Sequence, residues 1–339
     1  MRHSNLPNTF ICIYFPEWSI DVTRRQLSDL KPPLNPEAIL LTTNKSNQTE
    51  IVRACRNSLS AGVRPGMSLA LAKALTPTNT YDQSFDPLRD LRALQTLAAW
   101  CLRFTPSVGL DRELRNAHAR DQLDRLDPRF WGIILDMTGT QRLHRDLSQL
   151  ANRLHTAFKE RAKIALAPTI SGAWALSRYR LQSPTVAPSY EALNTLIAEL
   201  PVAALRIDRD CSENLNELGI NTVAELLKLP RHTLAQRFGK NILFRLAQLS
   251  GGVEERVYPI TPIERYYKQK IFEPPLHNRR SITTAIESIF NTLINDLKQA
   301  RVAAKLFKLS VSDTSSKTTE KHLPLASATN DSGHLSAII

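Results

Sequence analysis

The side chains with most chemical reach in this sequence are carboxylates and cations. Glu17, Asp21, Asp111, Glu113 and Asp136 are candidates to gather around hard divalent cations, the arrangement that supports metal-assisted phosphoryl transfer. Toward the other end, Lys268, Lys270, Arg279, Arg280, Arg301, Lys305 and Lys308 fall close together. Between 256 and 339, Lys+Arg count 12 and Asp+Glu 7, a local charge of +5. Cations on strands and helix ends would contact phosphates with salt-sensitive, sequence-independent affinity; the plainer alternative is a solvated charged face. His118, His144, His155 and His232 show no metal-ligand spacing. Cys12, Cys55, Cys101 and Cys211 stand too far apart for a CxxC zinc site or a disulfide framework, which fits a reducing, cytoplasmic setting.

The frame that must position these groups is an ordinary globular one. The chain has 339 residues, 42% hydrophobic and 22% charged, enough for two or three domains and inconsistent with wholesale disorder. No apolar stretch is long enough to span a membrane, and Met1–Thr9 lacks a secretory core. A net charge of +12 makes the chain a candidate polyanion binder, leaving membrane surface and nucleic acid undecided.

Phe10–Phe15 reads as a buried strand stopped by Pro16, Gly132–Met137 as another and Lys163–Ala167 as a third. Between them, Leu88, Leu91, Leu94, Ala98, Cys101 and Leu102 mark one amphipathic helix, and Leu143, Leu147, Leu150, Leu154 and Phe158 a second. That order predicts an α+β sheet with both helices on one face. Residues 31–50 read as an irregular small lobe around a strand at Ala38–Thr42, Pro65–Leu75 as a turn and short helix, and Arg112–Arg129 as an extra polar loop. Residues 190–252 read as all-helical and 253–266 as a proline-punctuated linker. A small α/β unit follows, with strands at 267–272, 305–311 and 320–326 and a helix over 281–299 for which Ser281 is a candidate cap.

Ala61-Gly62-Val63-Arg64-Pro65-Gly66-Met67, Leu135-Asp136-Met137-Thr138-Gly139 and Leu218-Gly219-Ile220-Asn221-Thr222 resemble, in order and spacing, Y-family (UmuC-like) translesion DNA polymerases. Phe10–Asp21, Trp100–Pro106 and Gly172–Arg178 make the chain most similar to the catalytically degenerate ImuB-type branch, over roughly residues 8–312. The resemblance implies a right-hand architecture: a ferredoxin-like palm from 9–15 and 81–168, small fingers from 16–80, a helical thumb from 169–255 with a helix-hairpin-helix-like turn, a linker at 256–266, and a partial little finger from 267–339.

It also implies where metal ligands should stand. Counting back from Asp136, the family's Asp-Glu pair falls on Trp131 and Gly132, and the first-strand aspartate on Phe15, or on Tyr14 if the register slips by one. None is a carboxylate. The fingers' triphosphate-contacting pair aligns with Arg56 and Leu59, and the palm lysine with Gly172. The resemblance therefore implies a non-catalytic DNA-binding adaptor in damage-induced (SOS) translesion synthesis and DNA repair. No cofactor is expected, and Mg²⁺ only if relocated carboxylates such as Asp111 keep a polymerase active. A truncated, nonfunctional remnant is the other alternative. Implied DNA contacts are Gly219, Lys268, Lys270, Arg279, Arg280, Lys305 and Lys308, although for Gly219 a glycine closing a helix is the favoured reading. Implied partners are primer-template or damaged DNA, a separate error-prone polymerase and a RecA-like protein of the same mutagenesis cassette. Sliding-clamp binding is doubtful: Gln26–Leu30 only loosely mimics a clamp peptide inside a fingers helix, and Ala326–His334 is merely polar. The partial little finger is expected to leave Ile282, Ile286, Phe307 and Leu309 only partly covered.

Overall fold

Three apolar runs build the centre of the chain in the computed structural model, which describes residues 8–45, 48–260, 266–314 and 318–329. Strand β1 (Phe10–Tyr14) is flanked on both sides by antiparallel partners. These are β6 (Gly132–Asp136), with Tyr14 opposite Gly132, and β7 (Lys163–Ala167). Edge strands β5 (Val108–Leu110) and β8 (Thr185–Val186) complete the order β5-β6-β1-β7-β8.

Helices α4 (Pro87–Cys101) and α6 (Leu147–Phe158) cover one face, where Ile11, Ile13, Phe15, Ile133 and Leu135 meet Leu91, Leu94 and Leu150. The two expected helices share that face, and the opposite face is covered as well. Helix α7 (Ile170–Tyr179) packs there on Phe10, Cys12, Ile134, Ala165 and Ala167. The reason lies in the strands themselves, which are apolar without alternation, the pattern of a sheet buried on both faces. Leu143, expected on α6, precedes that helix and is 69% exposed.

Between β1 and α4 the small lobe is more regular than expected. Helix α1 (Trp18–Ser28) holds Gln26–Ser28 of the clamp-like segment, with Leu27 buried, and Asp29 and Leu30 follow its end. Strand β2 (Ala38–Lys45) pairs antiparallel with β3 (Gln48–Ala54) and parallel with β4 (Thr80–Ser84), beside α2 (Arg56–Ser60) and α3 (Leu69–Leu75). The segment expected as a loop forms α5 (Arg112–Ala119) and two short 3-10 turns. Asp111 caps the helix, and Leu114, Ala117, Leu123 and Leu126 are buried.

Helices α8 (Tyr190–Ala198), α9 (Arg209–Glu217), α10 (Val223–Leu227), α11 (Arg231–Phe238) and α12 (Lys240–Ser250) continue the core beside α7. The expected linker is docked in its described part. The Ile260 N–H donates to the Val108 carbonyl at 2.7 Å, Tyr258 lies over Gly109 where a Cβ would stand 2.6 Å from its carbonyl oxygen, and Arg115 stacks on the Tyr258 ring. Residues 261–265 lie outside the described residues, as does 330–334 of the polar stretch.

Contacts divide the chain into residues 1–261 and 262–339. The second unit holds α13 (Arg279–Ala300), capped by Asn278 rather than Ser281, and a hairpin of β9 (Ala304–Ser312) and β10 (Thr318–Thr329). The strand expected at 267–272 does not form. Tyr267 and Ile271 are 72% and 74% exposed, so its apolar positions have no sheet face to join. No helix of the described residues is long and apolar enough to cross a membrane.

Candidate functional site

The positions that the polymerase resemblance assigns to metal ligands do meet in space. Phe15 donates its N–H to the Trp131 carbonyl at 3.2 Å, and Gly132 pairs with Tyr14. Their side chains build hydrophobic core instead of an ion site. Phe15 is 2% exposed, with its ring 4.8 Å from Trp18 and 5.5 Å from Phe158; Trp131 is also 2% exposed.

On the opposite face the space in front of Gly132 belongs to Arg178. A Cβ on residue 132 would stand 2.6 Å from Arg178 Nη2. The guanidinium is fixed on several sides. Nε donates to the Arg129 carbonyl at 3.0 Å, Nη1 to Ser177 Oγ at 2.7 Å and Cys12 Sγ at 2.9 Å. The Tyr14 and Trp174 rings lie 4.4 and 4.6 Å from its central carbon. Nη2 is buried and has no hydrogen-bond partner. A permanent cation with 1% side-chain exposure occupies this floor. Together with the aromatic pair it makes a set of residues that does not fit Mg²⁺.

Asp111, the carboxylate most open to relocation, is taken. It is fully buried, accepting from Trp174 Nε1 at 2.6 Å and from the Glu113 N–H at 3.0 Å, with Arg178 Nη2 3.9 Å away. Burial pushes its carboxyl above the usual range, while Arg178 and Arg206 act against that shift. Asp136 sits at the far end of β6, four residues or about 13 Å along the strand from Gly132. There it accepts from the Thr138 N–H at 3.0 Å. Glu17 pairs with Arg56 at 3.4 Å, Asp21 with Arg24 at 3.2 Å, and Glu113 with Arg245 at 3.1 Å. Among the described residues no three His, Cys, Asp or Glu side chains stand together as a metal site.

The positions that the resemblance assigns to triphosphate contacts are scattered. Arg56 is exposed at the start of α2, and Leu59 is an exposed side chain whose carbonyl accepts from Arg64 at 2.7 Å. Gly172 faces inward, where a Cβ would stand 2.7 Å from Leu193. Trp18 packs on Phe15 and donates Nε1 to the Asp90 carbonyl at 2.9 Å.

Gly219 follows α9 with φ +77°, and the bonds from Gly219 to Asn216 and from Ile220 to Leu215 close that helix. The next two amides, Asn221 and Thr222, both donate to Glu225 Oε2, at 2.8 and 3.0 Å, in a capping box. The turn therefore presents its amides to its own carboxylate.

In the second unit Lys268 and Lys308 pair with Asp296 and Glu320, each at 2.6 Å. Lys270 lies 5.3 Å from the Phe272 ring and shares an open groove of about 470 Å³ with Arg280. Arg279 and Arg280 begin α13, and Lys305 and Lys308 sit three apart on β9, hence on opposite faces of the hairpin.

No protein-family model matches the sequence. Protein ImuB of Caulobacter vibrioides (strain NA1000 / CB15N) is 33% identical over 219 residues, 63% of this chain and 43% of that protein. DNA polymerase IV of Dehalococcoides mccartyi (strain CBDB1) is 22% identical over 307 residues, 87% of this chain and 73% of that protein. A solved Y-family DNA polymerase chimera of Dbh and Dpo4 superposes with TM-score 0.55 at 14% identity, covering 97% of this chain and 91% of the chimera. The chain has the Y-family polymerase fold and is ImuB-like in sequence. Its match spans less than half the length of the ImuB protein.

The structure added residues that spacing had hidden. Arg178 lies within the Gly172–Arg178 motif, and its approach to Gly132 joins positions far apart in the sequence. Asp111 is the N-cap of α5, a helix in the segment expected as a loop.

Proposed function

We propose that this ImuB-like chain is a non-catalytic DNA-binding adaptor in damage-induced translesion synthesis, a cytoplasmic protein working beside a separate error-prone polymerase and a RecA-like partner. Residues 9–15 with 81–168 are its palm, 16–80 its fingers, 169–255 its thumb and 267 onward its little finger. The observation that carries the reading is Arg178 packed against Gly132, with Phe15 and Trp131 buried in the core on the opposite face of the sheet. A guanidinium and two aromatic side chains cannot ligate divalent cations as carboxylates do, so the fold keeps its shape without the chemistry of phosphoryl transfer. The net charge of +12 and the exposed Arg279, Arg280 and Lys305 support attraction to a phosphate backbone.

Two measurements on the purified chain test this. Primer extension with Mg²⁺ or Mn²⁺ is expected to yield no template-directed product; extension abolished by Asp111→Ala or Asp136→Ala would overturn the adaptor reading in favour of a relocated site. Titration of labelled primer-template is expected to show log affinity falling with log salt. Arg279→Ala/Arg280→Ala/Lys305→Ala should weaken binding about tenfold and flatten the slope by roughly two to three units. Lys268 and Lys308, already paired with carboxylates, should matter less when replaced by alanine.

A further inference from the structure

The segment between β5 and β6 does more than connect them. After α5, residues 120–131 pass between the small β3-β2-β4 sheet and α7, touching both. Arg53 on β3 donates Nη2 to the Leu126 carbonyl at 2.9 Å while its guanidinium lies 5.5 Å from the Phe85 ring. Arg129 donates Nη1 to the Tyr179 hydroxyl at 2.7 Å and is held by Asp127 at 2.8 Å. Its carbonyl accepts from Arg178, the cation over Gly132. Beneath these groups Tyr14 is 9% exposed, and burial raises its phenol above the ordinary value. At the other end Glu113 pairs with Arg245 on α12, and Arg115 stacks on Tyr258. Leu114, Leu123 and Leu126 anchor the path in the core.

We infer that residues 112–131 are a built-in strap that ties the small lobe to α7 across the Gly132–Arg178 position without any ligand. This rests on the adaptor reading for its purpose and on the contacts above for its geometry. A nucleotide-dependent polymerase cleft must give way when triphosphate and metal arrive. Here the small lobe is already tied to α7 by the strap, and the floor is filled by Arg178. Nucleotide and divalent cation therefore find no room, and affinity for DNA does not depend on them. Tyr179 and Arg53 are positioning residues in this scheme, acting through the strap.

Hydrogen exchange and DNA titration on the full chain decide the matter. In the free protein, amides of 48–54 and 126–131 are expected to exchange slowly and to be unmoved by millimolar deoxynucleotides with Mg²⁺. Primer-template affinity should change less than about twofold on the same addition. Arg53→Ala/Arg129→Ala should speed exchange in those two segments about tenfold or more while leaving β1 and β6 protected. Tyr179→Phe, which removes one hydroxyl, should do so more weakly and serves if the double variant misfolds. Exchange at 126–131 as fast as an open loop, or strap protection or DNA affinity raised about tenfold by nucleotide and Mg²⁺, would overturn the proposal. A chain that binds no DNA but shows the slow, nucleotide-insensitive strap would refute the adaptor reading and leave the strap standing.

Discussion

Asp21 illustrates how burial sets the electrostatics of a single carboxylate beside β1. It lies on α1, 3.2 Å from Arg24 and close to Arg161 and Glu17. Desolvation outweighs the two arginines and raises its carboxyl to about 6. A raised carboxylate means the folded state binds the proton more tightly than the unfolded chain. Its contribution is therefore most favourable below the unfolded value of 3.8 and is lost as pH rises through about 6. Asp21→Asn should stabilise the protein at pH 7.5 by about 1–2 kcal/mol and flatten the stability slope between about pH 4 and 6. Denaturant melts across that range check it; a variant less stable at pH 7.5 would show the Arg24 and Arg161 interactions to dominate. At this scale the sequence names the residues at the aligned positions and not what packs against them. Counting back from Asp136 located Trp131 and Gly132, because strand register preserves spacing. Nothing in residue order could bring Arg178 to Cys12, 166 positions away, since that contact depends on how α7 lies on the sheet.

Elements repeat that contrast. The three central strands were visible as apolar runs, and α4, α6 and α13 as periodic stripes, because burial writes itself into local pattern. Strands β3 and β4 escaped because TEIVRA and TYDQS mix polar with apolar residues, and only pairing with β2 makes them strands. Helix α5 escaped because its eight residues hold few apolar positions; its cap at Asp111 was the available signal. The α9–α10 turn offers a test at this level. Glu225 accepts the Asn221 and Thr222 amides, and these bonds hold its carboxyl below the usual value. Its stabilising effect is present at neutral pH and fades as pH falls through its lowered folded value. While those bonds hold, the amides that a phosphate would need are occupied. Glu225→Gln should therefore weaken the start of α10, seen as faster exchange at 222–226. It should also raise affinity for primer-template about two- to threefold by removing a competing anion. Unchanged or lower affinity together with faster exchange would show that this turn takes no part in DNA contact.

The two units differ in how much apolar surface each keeps from water. In the first, β1, β6 and β7 are buried between helices on both faces. In the second, fully buried side chains come down to Ile294, Leu297, Phe307 and Leu325 among the described residues. Phe307 is better covered than its place in a partial sheet suggested, because it packs against Phe290, with centroids 4.9 Å apart. Ile282 and Ile286 remain half-buried, as expected from a helix that reaches beyond its sheet. The N-terminal half of α13 thus has little to hold it, and a two-stranded hairpin is marginal by itself. Opening of 279–311 should cost far less than opening of β1, with amides of 279–290 exchanging about ten- to a hundredfold faster than those of 291–300. Arg279 and Arg280 lie within that weak half, so a polyanion that engages them stabilises it by mass action. Saturating primer-template at low salt should accordingly slow exchange in 279–290 more than anywhere in the first unit, and the effect should vanish as salt is raised. Uniform protection across 279–311 in the free chain would refute the instability. Slowing confined to the first unit would place the DNA contact away from α13.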